Sequence, residues 1–219
     1  MDEKTQRFVA EQLRKPSGAF AAEMGERMNA GNRLLNFRAF AGMTLTPGAH
    51  ILELGMGNGA FVRDLLALAP DLVYTGIDYS PEMVDAANLA NKGLIESGRV
   101  RIIEAVAEKL PFDAGTFDVA LSVNTVYFWD DFPAVAGELH RVLRRDGELT
   151  LGLRPRSVMQ QYPFVQNGFA MFSAAELCQA LGECDFSDFR ISEEEEPSQD
   201  AGGEEVPVRS LVVSARARG

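Results

Sequence analysis

Hydrophobic residues along this chain fall into short apolar runs separated by helix-spaced stripes. Ile51-Leu52-Glu53-Leu54 is a run of strand length, and residues 72–77, 100–103, 117–124 and 148–153 carry others. Phe186-Ser187-Asp188-Phe189-Arg190-Ile191 alternates with a period of two, and residues 208–215 form a last apolar segment. These read as strands. Helices come between them. Ser80-Pro81-Glu82 supplies an N-cap, a proline at the first helical position and an acid in the first turn, and Met83, Ala87, Ala90 and Leu94 follow as an expected buried stripe. Val135, Leu139 and Val142 share one face of another helix, which closes near Gly147, the expected left-handed residue. Ser173-Ala174-Ala175-Glu176 is a capping box ahead of Leu177 and Leu181. The alternation predicts a doubly wound α/β sheet with helices on both faces.

Residues 1–47 precede the first strand and read as helices broken at Pro16-Ser17-Gly18, with Pro47-Gly48 leading into the sheet. They form an expected helical cap on a domain spanning 48–219, one domain overall. The cap is a candidate lid carrying Phe20, Met24, Met28 or Arg33 toward a ligand, or simply packing for the sheet edge. Arg14 and Lys15 are candidate contacts for an acidic one. Residues 155–172 are irregular and aromatic, with Tyr162, Phe164, Phe169 and Phe172. Residues 193–207 hold four consecutive glutamates and a Gly-Gly pair and are expected to be a solvated, mobile loop. Four consecutive carboxylates cannot converge on one ion, so no metal is expected there.

Chemistry enters at Gly55-Met56-Gly57-Asn58-Gly59, which follows the first strand and opens a helix. A turn this poor in side chains lets a ligand touch the main chain, beside the N–H groups of a helix start. Asp78 ends the second strand, where an ionised carboxylate suits the vicinal hydroxyls of a ribose. A dinucleotide site asks for G-x-G-x-x-G, whereas this chain has G-x-G-x-G and no Tyr-x-x-x-Lys pair. An NAD(P)-dependent oxidoreductase is therefore the weaker reading of the same turn.

The sequence Glu53-Leu54-Gly55-Met56-Gly57-Asn58-Gly59 resembles the first motif of class I S-adenosylmethionine-dependent methyltransferases, in their small-molecule, ubiquinone/menaquinone-like branch. Four further segments in order strengthen the likeness: Asp78; Ala107-Glu108-Lys109-Leu110-Pro111-Phe112, with Val106 where the family usually has an acid; Phe117-Asp118-Val119-Ala120-Leu121-Ser122; and Glu138 to Gly147, with Arg145 and Asp146 replacing the usual proline and glycine. The resemblance implies a Rossmann-like, seven-stranded sheet of order 3-2-1-4-5-7-6 with strand 7 antiparallel. It implies S-adenosyl-L-methionine as cofactor, held by Glu53, Gly55, Met56, Gly57, Gly59, Asp78, Tyr79, Ala107, Glu108 and Ser122. Acceptor contacts would come from Tyr127, Trp129 and Tyr162, with Val123, Val126 and Phe128 completing an apolar wall. A non-catalytic module that binds the same cofactor is the other alternative.

Composition narrows the acceptor. The 219 residues carry 32 acidic and 21 basic side chains, a formal charge of −11, against the basic stripe that phosphate binding needs. A small-molecule acceptor is expected rather than a nucleic acid. No signal peptide is evident, and no apolar run approaches the roughly 18 residues of a membrane span, so a cytoplasmic protein is expected. Cys178 and Cys184 read as reduced core thiols. His50 and His140 are not placed as bases, which favours nitrogen, sulfur, carbon or already acidic oxygen acceptors; Tyr127 and Asp130 are the remaining candidate bases. Nothing in the sequence indicates an oligomeric state.

Overall fold

The computed structural model describes residues 2–200 and 205–219. In chain order the elements are α1 (Glu3–Arg14), α2 (Ala21–Gly42), β1 (His50–Leu54), α3 (Val62–Leu66), β2 (Val73–Asp78), α4 (Pro81–Ala90), α5 (Lys92–Glu96), β3 (Val100–Glu104) and β4 (Phe117–Val123). They continue with α6 (Phe132–Val142), β5 (Leu143–Leu153), α7 (Arg156–Met159), α8 (Ala174–Gly182), β6 (Phe186–Asp200) and β7 (Glu205–Ala217). The seven strands form one sheet in the order β3-β2-β1-β4-β5-β7-β6, as the resemblance implied. β1 to β5 pair in parallel, and β7 runs antiparallel to both β5 and β6. Strand order reverses between β1 and β4, so the carboxyl ends of these two neighbours frame a crevice.

Period-two alternation sends each strand's apolar residues to both faces. Leu52 and Leu54 of β1 pack with Ala120 of β4 and with Leu139 and Leu177 from α6 and α8. Ile51, Val119 and Leu121 pack on the opposite face against Leu35 and Ala39 of α2 and Val62 and Leu65 of α3. Val135, Leu139 and Val142 are fully buried, as their spacing predicts, each contributing roughly 1.5–3 kcal/mol of burial. Asp131 caps α6 by accepting from the N–H of Ala134, and Ser173 and Glu176 close the expected capping box on α8.

Two local expectations are corrected. The stripe from Met83 does not reach Ala90, which is exposed, because α4 ends there. Asn91 takes its place: buried, it donates from Nδ2 to the carbonyls of Gly59 (3.1 Å) and Ala87 (3.0 Å), tying the helix end to the glycine turn. The turn after α6 is not made by a left-handed Gly147. Asp146 takes the positive φ of 60°, and Gly147 is needed because a Cβ would lie 2.8 Å from the carbonyl oxygen of Arg144. The bend sits inside β5, where its pairing with β4 shifts register.

The largest correction concerns residues 193–207. Residues 193–200 continue β6, and β7 already includes 205–207, so most of this stretch is a paired hairpin rather than a loop. The expected Gly-Gly pair, residues 202–203, lies outside the described residues. Alternation splits the four glutamates between two faces. Glu193 and Glu195 meet Arg209 at 3.3 and 3.1 Å, while Glu194 and Glu196 meet Arg38 of α2 at 3.2 and 3.3 Å. Glu196 also accepts from the buried Arg154 guanidinium at 2.5 Å. Counter-charges distant in sequence make a strand of what reads locally as a solvated acidic run.

Candidate functional site

β1 delivers Glu53 and Leu54 to the crevice, and Gly55, Gly57 and Gly59 follow with φ of 72°, 58° and 67°. These left-handed values favour glycine, but the three positions have different neighbours. A Cβ on Gly55 would overlap Thr125, and one on Gly59 would meet Asn91 at 2.7 Å; a Cβ on Gly57 would meet nothing within 4 Å. Gly55 and Gly59 therefore serve close packing, while Gly57 leaves space open. The turn's N–H groups are also largely engaged. Those of Gly55 and Met56 donate to the carbonyl of Ile77 (2.8 and 3.2 Å), that of Gly57 to Oδ2 of Asp78 (3.0 Å), and that of Gly59 to the carbonyl of Met56 (3.2 Å). The turn acts as a shaped cradle rather than as a row of free donors.

A cavity of about 320 Å³ lies over this turn, within the size range of small-ligand sites. Its lining includes Glu53, Gly55, Met56, Gly57, Gly59, Asp78 and Tyr79, together with Ala107 and Glu108 from the segment after β3, all expected from the sequence. On the far side stand Trp129, also expected, with Val123, Phe128 and Asp130. The roof comes from the cap: Leu13, Arg14 and Pro16, then Met28, Asn29, Asn32 and Asn36 of α2. Of the cap residues singled out by sequence, Met28 and Arg14 line the cavity. Phe20 is half exposed against Phe8, and Arg33 lies over the ring of Phe37.

Three expected site residues lie outside the lining. Ser122 is buried and donates to the carbonyl of Leu54 at 2.8 Å, joining the ends of β1 and β4. Tyr127 is buried as well; its hydroxyl donates to Oδ1 of Asn124 (2.8 Å) and accepts from the N–H of Arg154 (2.5 Å). Burial pushes this phenol well above its usual pKa, so it is held protonated and is no base. Tyr162 stacks on Phe164 with ring centroids 5.3 Å apart, away from the cavity. Val126 is buried beneath the wall. Asp130, the other candidate base, pairs with Arg14 across the mouth.

Neither histidine reaches the cavity. His50 contacts Thr75 through Nε2 at 3.0 Å, and Nε2 of His140 meets the carbonyl of Arg218 at 3.0 Å. This agrees with the sequence, which places neither as a base. Cys178 and Cys184 are free and half buried.

Two buried carboxylates dominate the electrostatics. Burial pushes Glu53 up to about 7, opposed by the Tyr74 hydroxyl, which donates to Oε2 at 2.5 Å. Burial also raises Asp78, opposed by the N–H groups of Ser80 (2.9 Å) and Gly57 (3.0 Å). No cation of the protein is paired with either one among the described residues. Lys15 acts on Asp78 only through space, and two acids facing a cavity with no cation in contact suit a ligand that brings positive charge and hydroxyl donors. An open cradle at Gly57 and an acid at the second strand end fit an adenosyl sulfonium compound. Among the described residues no group of three His, Cys, Asp or Glu could hold a metal ion.

The cap is fastened over this site. Tyr79 donates to the carbonyl of Arg14 (2.6 Å) and its ring lies 4.9 Å below the Lys15 ammonium. Ser80 donates to the carbonyl of Pro16 (2.6 Å), and the N–H of Gly18 donates to Glu82 (2.9 Å). Tyr79 thus anchors the lid at the cavity edge, and Lys15, offered as an acceptor contact, serves that anchor.

The family described as "Methyltransferase domain" matches residues 52–151. An uncharacterized methyltransferase of Bacillus subtilis is 31% identical over 132 residues, covering 60% of this chain and 71% of that protein. The chain belongs to the class I S-adenosylmethionine-dependent methyltransferases. A ubiquinone/menaquinone biosynthesis C-methyltransferase of Citrifermentans bemidjiense is 30% identical over 143 residues, 61% of this chain and 60% of its own length. The chain therefore spans less than two thirds of that relative. Among solved structures, a putative methyltransferase of Haloferax volcanii in complex with the activator Trm112 superimposes with a TM-score of 0.74 at 18% identity, over 92% of this chain and 97% of the other. That likeness shows the shared fold. This methyltransferase uses S-adenosylmethionine, and the glycine turn, Asp78 and residues 105–108 line one cavity.

The asparagines of α2 escaped the sequence reading. The available signal was their spacing at 29, 32 and 36, one helical face, which a reading of apolar stripes passes over.

Proposed function

We propose that this methyltransferase moves a methyl group from S-adenosylmethionine to a small-molecule acceptor held between α2 and the segment after β4. One observation carries the reading: the cavity over the glycine turn is continuous from Asp78 to Trp129, so cofactor and acceptor share a single chamber. When bound, the cofactor supplies a sulfonium-activated methyl that an acceptor lone pair can take directly.

The chain's own residues have three tasks. Asp78 accepts hydrogen bonds from a ribose, and the uncharged segment at residues 105–107 walls the adenine. Glu53 offsets positive charge on the ligand. Trp129, Phe128 and Met28 exclude water and hold a flat acceptor, and fixing the geometry in this way supplies several kcal/mol of the barrier, at roughly 7–11 kcal/mol for ideal alignment. No histidine lies in the chamber, which supports an acceptor whose nucleophile needs no strong base: nitrogen, sulfur, carbon or an acidic hydroxyl. The relatives named C-methyltransferases of ubiquinone/menaquinone biosynthesis support carbon as the accepting atom.

The net charge of −11 argues against a nucleic-acid acceptor. No helix among the described residues is long and apolar enough to cross a membrane, and we place the protein in the cytoplasm. The testing experiment is a calorimetric titration with S-adenosylmethionine, S-adenosylhomocysteine and NAD, followed by methyl transfer to aromatic hydroxyl, amine and thiol acceptors. Binding of the first two alone, with turnover on one acceptor class, is expected. Cofactor binding without turnover on any would make the protein a binding module.

A further inference from the structure

Asn29, Asn32 and Asn36 occupy one face of α2 at three- and four-residue spacing, and all three line the chamber. Asparagine is a poor helix former, and burying an amide is costly unless it is bonded. A helix that merely covered the sheet would carry leucine or alanine on this face, as it does at Leu35 and Ala39. The amides are partly linked. Nδ2 of Asn36 donates to the carbonyl of Asn32 (3.0 Å), and Oδ1 of Asn32 accepts from Nδ2 of Asn124 (2.8 Å).

What remains unused is a set of matched donors and acceptors. Asn36 is only 5% exposed, and among the described residues no donor is bonded to its Oδ1, an atom that is not itself fully buried and so stays open to a ligand in the chamber. The Nδ2 of Asn32 and the whole side chain of Asn29 likewise make no protein hydrogen bond. Among the described residues the helix brings no charge of its own to this face, and the acids of the chamber, Glu53, Asp78 and Glu108, come from β1, β2 and the segment after β3. Glu23, Glu26, Arg27 and Arg33 of the same helix are all exposed, and Arg14 is neutralised by Asp130.

We propose that Asn29, Asn32 and Asn36 read the methyl acceptor, and that the acceptor is an uncharged molecule presenting hydroxyl or carbonyl groups to them. Carboxamides satisfy both a donor and an acceptor, so they match a neutral polar edge. An anionic acceptor would have to shed its hydration without meeting a free counter-charge, and with Glu53 and Asp78 assigned to the cofactor a cationic one would gain no partner on this face. Asn124, locked at φ 56° and bonded to both Asn32 and Tyr127, fixes the row against the end of β4. The proposal rests on the methyltransferase reading and adds the residues that select its substrate.

The test uses the full-length protein saturated with S-adenosylhomocysteine, titrated with 1,4-dihydroxynaphthalene and with its 2-carboxylate. The wild type should bind the diol about tenfold tighter than the carboxylate. Asn36→Leu and the half-buried Asn29→Leu should each weaken diol binding about five- to tenfold while leaving S-adenosylhomocysteine affinity unchanged, with thermal melts confirming that both variants fold. Equal affinity for the two probes, or no uptake of either by the loaded protein, would overturn the proposal. So would a loss of S-adenosylhomocysteine affinity in Asn36→Leu, which would put that amide at the cofactor instead. Failure of the wild type to bind S-adenosylhomocysteine at all is a different result and removes the underlying methyltransferase reading.

Discussion

The hydroxyl of Tyr74, on β2, donates to Oε2 of Glu53, on β1, at 2.5 Å, and both side chains are buried beneath the glycine turn. Gly76 makes the contact possible, because a Cβ there would sit 2.7 Å from the Tyr74 hydroxyl. This bond is the one side-chain donor that Glu53 receives among the described residues. Replacing Tyr74 by Phe should cost ~1.5–3 kcal/mol at pH 8, where the carboxylate is ionised, and less at pH 5. Urea unfolding at the two values measures the difference; equal costs would show that the bond does not act on the charged form.

The raised Glu53 carboxyl also sets a pH dependence. Its folded value of about 7 lies above the usual 4.5, so folding favours the protonated acid. That contribution is fully present below pH 4.5 and is lost as pH rises through 7, a change of ~3 kcal/mol. Glu53→Gln should therefore match the wild type near pH 4 and exceed it in stability near pH 8. Cofactor affinity should move the opposite way in the wild type, rising between pH 6 and 8 as the acid ionises to meet a cationic ligand.

Gly57 separates stability from binding. Alanine at its φ of 58° should cost roughly 1–2 kcal/mol of stability from backbone strain, since no atom of the described residues lies within 4 Å of the added methyl. The methyl would project into the open space where we propose that the cofactor lies, so affinity should fall about tenfold or more, beyond what the stability loss explains. An Ala variant that binds as well as the wild type would move the cofactor off this turn.

The acidic hairpin yields a stability prediction. Arg154 and Glu196 form an ion pair with side chains 8% and 2% exposed, and Ser210 also donates to Glu196. Arg154 further donates to the carbonyl of Gly31 on α2 at 3.0 Å, so the pair helps to hold the cap to the sheet. Glu196→Ala leaves a buried cation and should cost ~3–5 kcal/mol, a drop of very roughly 6–20 °C in melting temperature. The exposed neighbour Glu195→Ala should cost under ~1 kcal/mol. Equal effects would mean that the hairpin pairs no more firmly than a surface loop.

Much of this architecture was legible in the chain because its signals are local. The run ending at Leu54, the glycines after it, Asp78 at the next strand end and the cap at Ser80 each announce an element within a few residues. The misreadings share an opposite cause. Glu193 to Glu196 read as solvated because their partners Arg38, Arg154 and Arg209 are distant in sequence. Ser122 and Tyr127 sit on a site-forming segment, but whether a side chain faces the chamber or the core behind it is set by packing that no single strand encodes. The asparagines of α2 resembled surface residues until the helix was laid over the crevice.

The decisive measurement is calorimetric binding of S-adenosylhomocysteine to the wild type and to Asp78→Ala. Asp78 already orders the turn through Gly57 and Ser80, and in the proposed site its remaining lone pairs accept from a ribose. The wild type should bind one equivalent, and the variant should lose ~1.5–3 kcal/mol, or roughly 10- to 150-fold in affinity. Undiminished binding by Asp78→Ala, or no heat from the wild type, would contradict it.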